Sequence, residues 1–128
     1  MLQTHRCELV SAPAGARWSI LGIVLENGQR PIEQYLERPG ADADGFIASI
    51  NILLKAEPFQ QMGKRFKRLR NVANVFQITT HHDRYLGFRC RQDLILTNAF
   101  RKDAAETPPD GIAACVALQR AYFMQHGG

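Results

Sequence analysis

Apolar residues follow two rhythms along this chain, and the switches between them mark its elements. From Arg17 to Leu25 they are almost continuous, with Trp18, Ile20, Leu21, Ile23 and Val24. A run this short, bounded by turn residues, predicts a buried strand. Glu26-Asn27-Gly28-Gln29 predicts a turn. Pro31 suits the first position of a short helix, Pro31 to Glu37, with Ile32, Tyr35 and Leu36 on one face. Asp42 or Asp44 can cap a second helix running to about Ala56, where Phe46, Ile47, Ile50, Leu53 and Leu54 recur at helical spacing. Pro58 disfavours helix at Glu57. Phe59, Met62, Phe66 and Leu69 then predict a further helical turn or two, with Lys64, Lys67 and Arg68 on the opposite face.

Past Asn71 the rhythm changes. Val72 to Thr79, Arg84 to Arg91 and Leu94 to Phe100 read as three strands, joined by His81-His82-Asp83 and Gln92-Asp93. Links this short predict an antiparallel meander. In its middle strand Arg84, Leu86, Phe88 and Cys90 share one side, and Tyr85, Gly87, Arg89 and Arg91 the other. The third strand ends on Arg101 and Lys102, and a polar loop leads to Thr107-Pro108-Pro109. A last helix, about Pro109 to Gln125, carries Ile112, Val116, Leu118, Tyr122 and Phe123. Residues 1–15 predict no element. Strand, two helices, three-strand meander and C-terminal helix make an α+β fold, with the helices on one face of the sheet. At 128 residues the chain reads as a single domain, 1–128, with its core at about 17–123. Trp18 and the apolar row of the second helix read as core.

Composition adds exclusions. No apolar run is long enough for a membrane span, and the N-terminus lacks the basic start and apolar stretch of a secretory signal. Cys7, Cys90 and Cys115 are odd in number and scattered, which argues against a disulfide framework and a zinc site and predicts reduced thiols in a cytoplasmic protein. Neither metal nor cofactor is expected.

Charge changes the picture more. Residues 1–63 hold 5 Lys/Arg and 7 Asp/Glu, residues 64–102 hold 10 and 2, and residues 103–128 hold 1 and 3. A block of net +8 thus sits between two segments of net −2, which points to a polyanion, most simply nucleic acid. Lys64, Arg65, Lys67, Arg68 and Arg70, continued by Arg89 and Arg91, are the candidate RNA-binding residues.

Five local stretches resemble one family in order and spacing. They are Arg30-Pro31-Ile32-Glu33-Gln34-Tyr35-Leu36, Lys67-Arg68-Leu69, Val75-Phe76-Gln77-Ile78, Arg84-Tyr85-Leu86-Gly87-Phe88, and Phe100-Arg101-Lys102 followed by Thr107-Pro108. The chain resembles the RelE/HigB superfamily of toxins from bacterial type II toxin–antitoxin pairs, in its phage Gp49-like branch. The resemblance implies a RelE-like fold and a ribosome-dependent mRNA endoribonuclease, metal-independent, that inhibits translation. Such an enzyme positions the ribose 2′-hydroxyl against the adjacent phosphate, and basic side chains neutralise the developing charge. It implies a phosphate clamp of Arg84, Arg101 and Lys102, with His81, His82 or Tyr122 moving protons. Its implied partners are the ribosome with its mRNA and a cognate antitoxin, of helix-turn-helix type. Many relatives carry cations where this chain has Gln77 and Thr79. The alternatives are a same-fold toxin that is non-catalytic or acts on DNA gyrase, and a small basic RNA-binding protein.

Overall fold

The computed structural model describes the backbone of residues 5–8 and the whole of residues 14–102 and 107–127. Nine elements follow in order: β1 (His5–Glu8), β2 (Ser19–Val24), α1 (Pro31–Glu37), α2 (Ala43–Lys55), β3 (Phe66–Arg68), β4 (Phe76–Thr79), β5 (Asp83–Cys90), β6 (Asp93–Arg101) and α3 (Pro109–His126). The fold is α+β, built on one mixed sheet of order β1-β2-β6-β5-β4-β3. β2 runs parallel to β6, and every other neighbouring pair is antiparallel.

The local rules act where the sequence places them. Pro31 starts α1, where a missing N–H costs nothing. Of the two candidate caps, Asp42 takes the role, its carboxylate accepting from the backbone N–H of Gly45 at 3.0 Å. α2 ends at Lys55 and turns Phe46, Ile50, Leu53 and Leu54 inward. Ile47, expected in the core, is instead 42% exposed.

Four expectations give way. The N-terminal segment does form an element, since β1 pairs antiparallel with β2. The predicted helical turns at 59–69 are a loop followed by β3, which pairs with β4 from Phe66↔Ile78 to Arg68↔Phe76. Phe59, at φ 61°, lies in the left-handed region and breaks the helix there. The strand foreseen from Val72 begins only at Phe76, because Asn71 (φ 62°) and Asn74 (φ 56°) adopt turn conformations that asparagine tolerates. Finally, the helices cover both faces of the sheet. α1 and α2 pack with Ile20, Phe66, Ile78, Tyr85 and Leu96 on one face. α3 packs on the other with Ile23, Phe88 and Ile95, and with Val75 and Leu86. Two covered faces explain why β2 reads as a nearly continuous apolar run rather than an alternating one.

One irregularity decides which side chains meet. Leu86 pairs with Asn98 but Gly87 pairs with Leu96, so Thr97 is an extra residue in β6. This β-bulge shifts the alternation of β6 by one. Before it, Leu94 and Leu96 face α1 and α2. Thr97 and Asn98 then both point toward α3, the Thr97 hydroxyl donating to Asn98 Oδ1 at 2.6 Å and Asn98 Nδ2 to the Gly111 carbonyl at 3.1 Å. Beyond it Ala99 returns to the α1 and α2 core. Phe100 joins the α3 side, and Arg101 reaches the Gly40 carbonyl at 3.3 Å, beside α1.

Candidate nucleic-acid interface

Three backbone bonds draw the cationic segments to one end of the sheet. Thr79 N–H donates to Arg65 O at 2.9 Å, Thr80 N–H to Asp83 O at 2.9 Å, and Lys102 N–H to His82 O at 2.8 Å. The start of β3, the β4–β5 turn and the exit of β6 therefore lie side by side. Lys64, Arg65, His81, His82, Arg101 and Lys102 border this end, and all are exposed. The rings of His81 and His82 meet edge-on at 4.3 Å, so the adjacent histidines do converge within the turn.

The clamp of Arg84, Arg101 and Lys102 is not assembled as the sequence implied. Arg84 pairs with Thr79 and Phe100 across the sheet and lies on the α3 face, 5% exposed. Arg101 pairs with Asp83 and lies on the α1 face. The bulge is the physical cause, because unbroken alternation from Leu96 through Thr97 would put Arg101 on the side of Arg84, and the bulge reverses it. Beside Arg84, β4 contributes the neutral polar side chains of Gln77 and Thr79. Gln77, 2% exposed, donates through Nε2 to Thr79 Oγ1 at 3.1 Å and accepts from the Thr107 hydroxyl. Gln77 and Thr79 are thus tied to each other and, through Thr107, to the residues just before α3. The polar loop expected between Lys102 and Thr107 lies outside the described residues.

The remaining predicted residues divide by position. Lys67 and Arg68 are exposed on β3 and point to opposite faces. Arg70, Arg89 and Arg91 lie toward the far end of the sheet. There Arg89 donates to Arg91 O at 2.8 Å and Gln92 Oε1 at 2.9 Å. Its guanidinium lies 4.2 Å from the centre of the Phe59 ring. Tyr122 belongs to this far end as well. It is 4% exposed and packs on Phe88, ring centres 5.4 Å apart, four residues along β5 from Arg84, or roughly 13 Å. It is core, and the structure does not bring it to the histidines.

The sequence reading missed a cluster on the α1 face. Asp83, read there as part of a turn, is fully buried and pairs with Arg38, at 3.6 Å. The Tyr35 hydroxyl donates to Asp83 Oδ1, and Arg38 Nη2 donates to the Tyr35 oxygen. The Arg38 guanidinium also lies over the Tyr35 ring, 3.8 Å from its centre, a cation–π contact. Tyr85 meets Tyr35 edge-on at 5.8 Å. Burial, then the nearby Asp83, pushes the hydroxyls of Tyr35 and Tyr85 well above their ordinary range, so both stay protonated. Asp83 Oδ2, Tyr85 Oη and Arg38 Nε are buried without a hydrogen-bond partner among the described residues. The available signal was slight: Asp83 is one of only two acids among residues 64–102, and an acid inside a cationic block is a candidate for internal pairing.

Among the described residues, no three or more His, Cys, Asp or Glu side chains are grouped to hold a metal ion. No helix among them is long and apolar enough to cross a membrane. No family model matches this chain, and no curated protein is similar enough to count as a relative.

Proposed function

We propose that this protein is a RelE/HigB-like toxin, a ribosome-dependent mRNA endoribonuclease held inactive by a helix-turn-helix antitoxin. One observation carries the reading: Lys64, Arg65, His81, His82, Arg101 and Lys102 converge on one exposed end of the sheet. That end offers four fixed cations and two imidazoles, the groups that RNA cleavage without a metal requires. The cations bind and neutralise phosphate. A histidine takes the proton from the 2′-hydroxyl or returns one to the leaving oxygen. RNA would run along the exposed cations of β3 to the histidine turn. Compared with the expectation from sequence, Arg84 and Tyr122 leave the catalytic set, and Arg101, Lys102 and the histidines remain.

The test is induced expression with mapping of mRNA 5′ ends inside translated frames. New ends that vanish in a His81→Ala/His82→Ala variant of unchanged melting temperature support the nuclease. Growth arrest without new ends rejects it. A second reading, a same-fold module that binds RNA without cutting it, is favoured by the neutral Gln77–Thr79–Thr107 group and the burial of Arg84. It expects RNA retention by purified protein that is insensitive to the histidine changes.

A further inference from the structure

Arg38 is held from three sides while its side chain remains 37% exposed. Tyr35 lies under the guanidinium, the Tyr35 oxygen accepts from Nη2, and the Asp83 carboxylate pairs with it from inside. A long cationic side chain ordinarily loses rotamer freedom on binding an anion, so one already held in place binds at lower entropic cost. Arg101 is close by. Its Nη1 donates to the carbonyl of Gly40, two residues beyond Arg38, and both arginines act electrostatically on the Tyr35 hydroxyl. Two nearby acids are already committed, Asp83 fully buried and Asp42 engaged with the Gly45 N–H at the start of α2.

We propose that Arg38 and Arg101 together bind one phosphate group on the α1 face of the sheet end, and that Asp83 and Tyr35 are the positioning residues that aim Arg38 at it. This rests on the reading of that end as a nucleic-acid interface and adds to it a cation that the sequence did not reveal. An arginine pair suits phosphate better than lysine would, since each planar fork can donate two parallel hydrogen bonds. Asp83, Tyr85 and Arg38 each keep a buried polar atom with no partner among the described residues, so hydrogen-bonding capacity is left on the inner side of the site.

Two measurements test this on the intact protein. The first titrates inorganic phosphate into labelled protein and follows the Nε–H resonances of Arg38 and Arg101. Both are expected to move along one saturable curve. The second measures affinity for a single-stranded RNA oligonucleotide across salt concentrations. Losing one phosphate contact lowers the slope of log affinity on log salt by about 0.7, roughly a fivefold loss at about 0.1 M salt. Arg38→Ala should show this loss, and so should Asp83→Asn and Tyr35→Phe while still folded. Combining Asp83→Asn with Arg38→Ala should add nothing further. An Arg38 resonance that stays still while that of Arg101 moves, or no response from either, overturns the site. Losses that multiply in the double variant overturn the positioning role and leave Asp83 a purely structural acid. If wild-type protein binds no RNA but both resonances follow phosphate, the anion site stands and the nucleic-acid reading falls.

Discussion

Gly87 lies where β5 passes the bulge of β6, and backbone already occupies the space a side chain would need. A methyl group there would meet Ile95 O at 2.5 Å, Leu96 Cα at 2.9 Å and Ile95 C at 3.0 Å. Favourable contact between such atoms begins near ~3.5 Å. In Gly87→Ala the two central strands must therefore separate by roughly 1 Å or lose the bulge. Overfilling a packed interior costs about 1–3 kcal/mol, and the upper part of that range applies because the obstacle is backbone rather than the free end of a side chain. Against this stands the gain from restricting the unfolded chain, about 0.4–1 kcal/mol. The net expectation is a loss of about 2 kcal/mol. For a chain of this length that lowers Tm by about 8 °C. Urea unfolding should show a lower midpoint at unchanged slope. A variant that melts at or above the wild-type temperature refutes the close approach. It refutes with it the register that sends Arg101 to the face of Asp83.

Other expectations follow from single contacts. Trp18→Phe removes the Nε1–H bond to the Leu53 carbonyl (3.1 Å) and should cost about 0.5–1.5 kcal/mol in urea unfolding, because the carbonyl keeps the Ala56 N–H as a donor. Asp42→Ala removes the cap of α2 and should cost about 0.5–2 kcal/mol, with little change in far-ultraviolet dichroism. Burial pushes the Cys115 thiol from 9.0 up to about 11, although Thr97 hydrogen-bonds to it and pulls the other way. The folded state thus keeps a proton that the unfolded state releases. That stabilisation is complete below pH 9 and is lost as the pH rises through 11. It amounts to about 2–3 kcal/mol. The raised hydroxyls of Tyr35 and Tyr85 push in the same direction above pH 10. Unfolding free energies at pH 8 and pH 10.5 should show the decline, and Cys115→Ala should lessen it.

Elements governed by local chemistry were legible in the sequence, and those governed by distant contacts were not. Pro31, Asp42 and the helical spacing of Phe46, Ile50, Leu53 and Leu54 announce α1 and α2 because caps and amphipathic faces act within one element. β3 misled because Phe59, Met62, Phe66 and Leu69 fit a helical period, while the pairing of Phe66 with Ile78 is a long-range event that period cannot show. The site follows the same division. The exposed cations of residues 64–70 and of Arg101 and Lys102 could be read from composition, since charge needs no geometry to be noticed. The separation of Arg84 from Arg101 could not, because it depends on one extra residue in β6 whose effect appears only once β5 pairs with it. Gly87 was the single hint, a glycine inside a strand that otherwise reads as regular.

Arg84 shows why this distinction matters for assigning function. A substitution such as Arg84→Ala is the obvious probe of a phosphate clamp, yet the side chain is 5% exposed and permanently charged. Removing so buried an arginine forfeits the packing of its stem and the hydrogen bonds of a charged group, together about 3–5 kcal/mol, a large part of the roughly 5–15 kcal/mol that holds a domain together. Arg84→Ala should therefore lower Tm by more than 10 °C, about 4 °C per kcal/mol. It should reduce growth arrest under the nuclease reading and the binding reading alike, simply by depleting folded protein. Arg101→Ala/Lys102→Ala changes exposed side chains, where substitutions usually stay within about 0.5 kcal/mol. That variant should keep its Tm while RNA binding weakens and its salt slope falls. Loss of function in the surface pair at constant stability then speaks for the sheet end as the interface. If instead Arg84→Ala melts like wild type and still abolishes cleavage, Arg84 acts on RNA directly, and the α3 face rather than the α1 face holds the reacting phosphate.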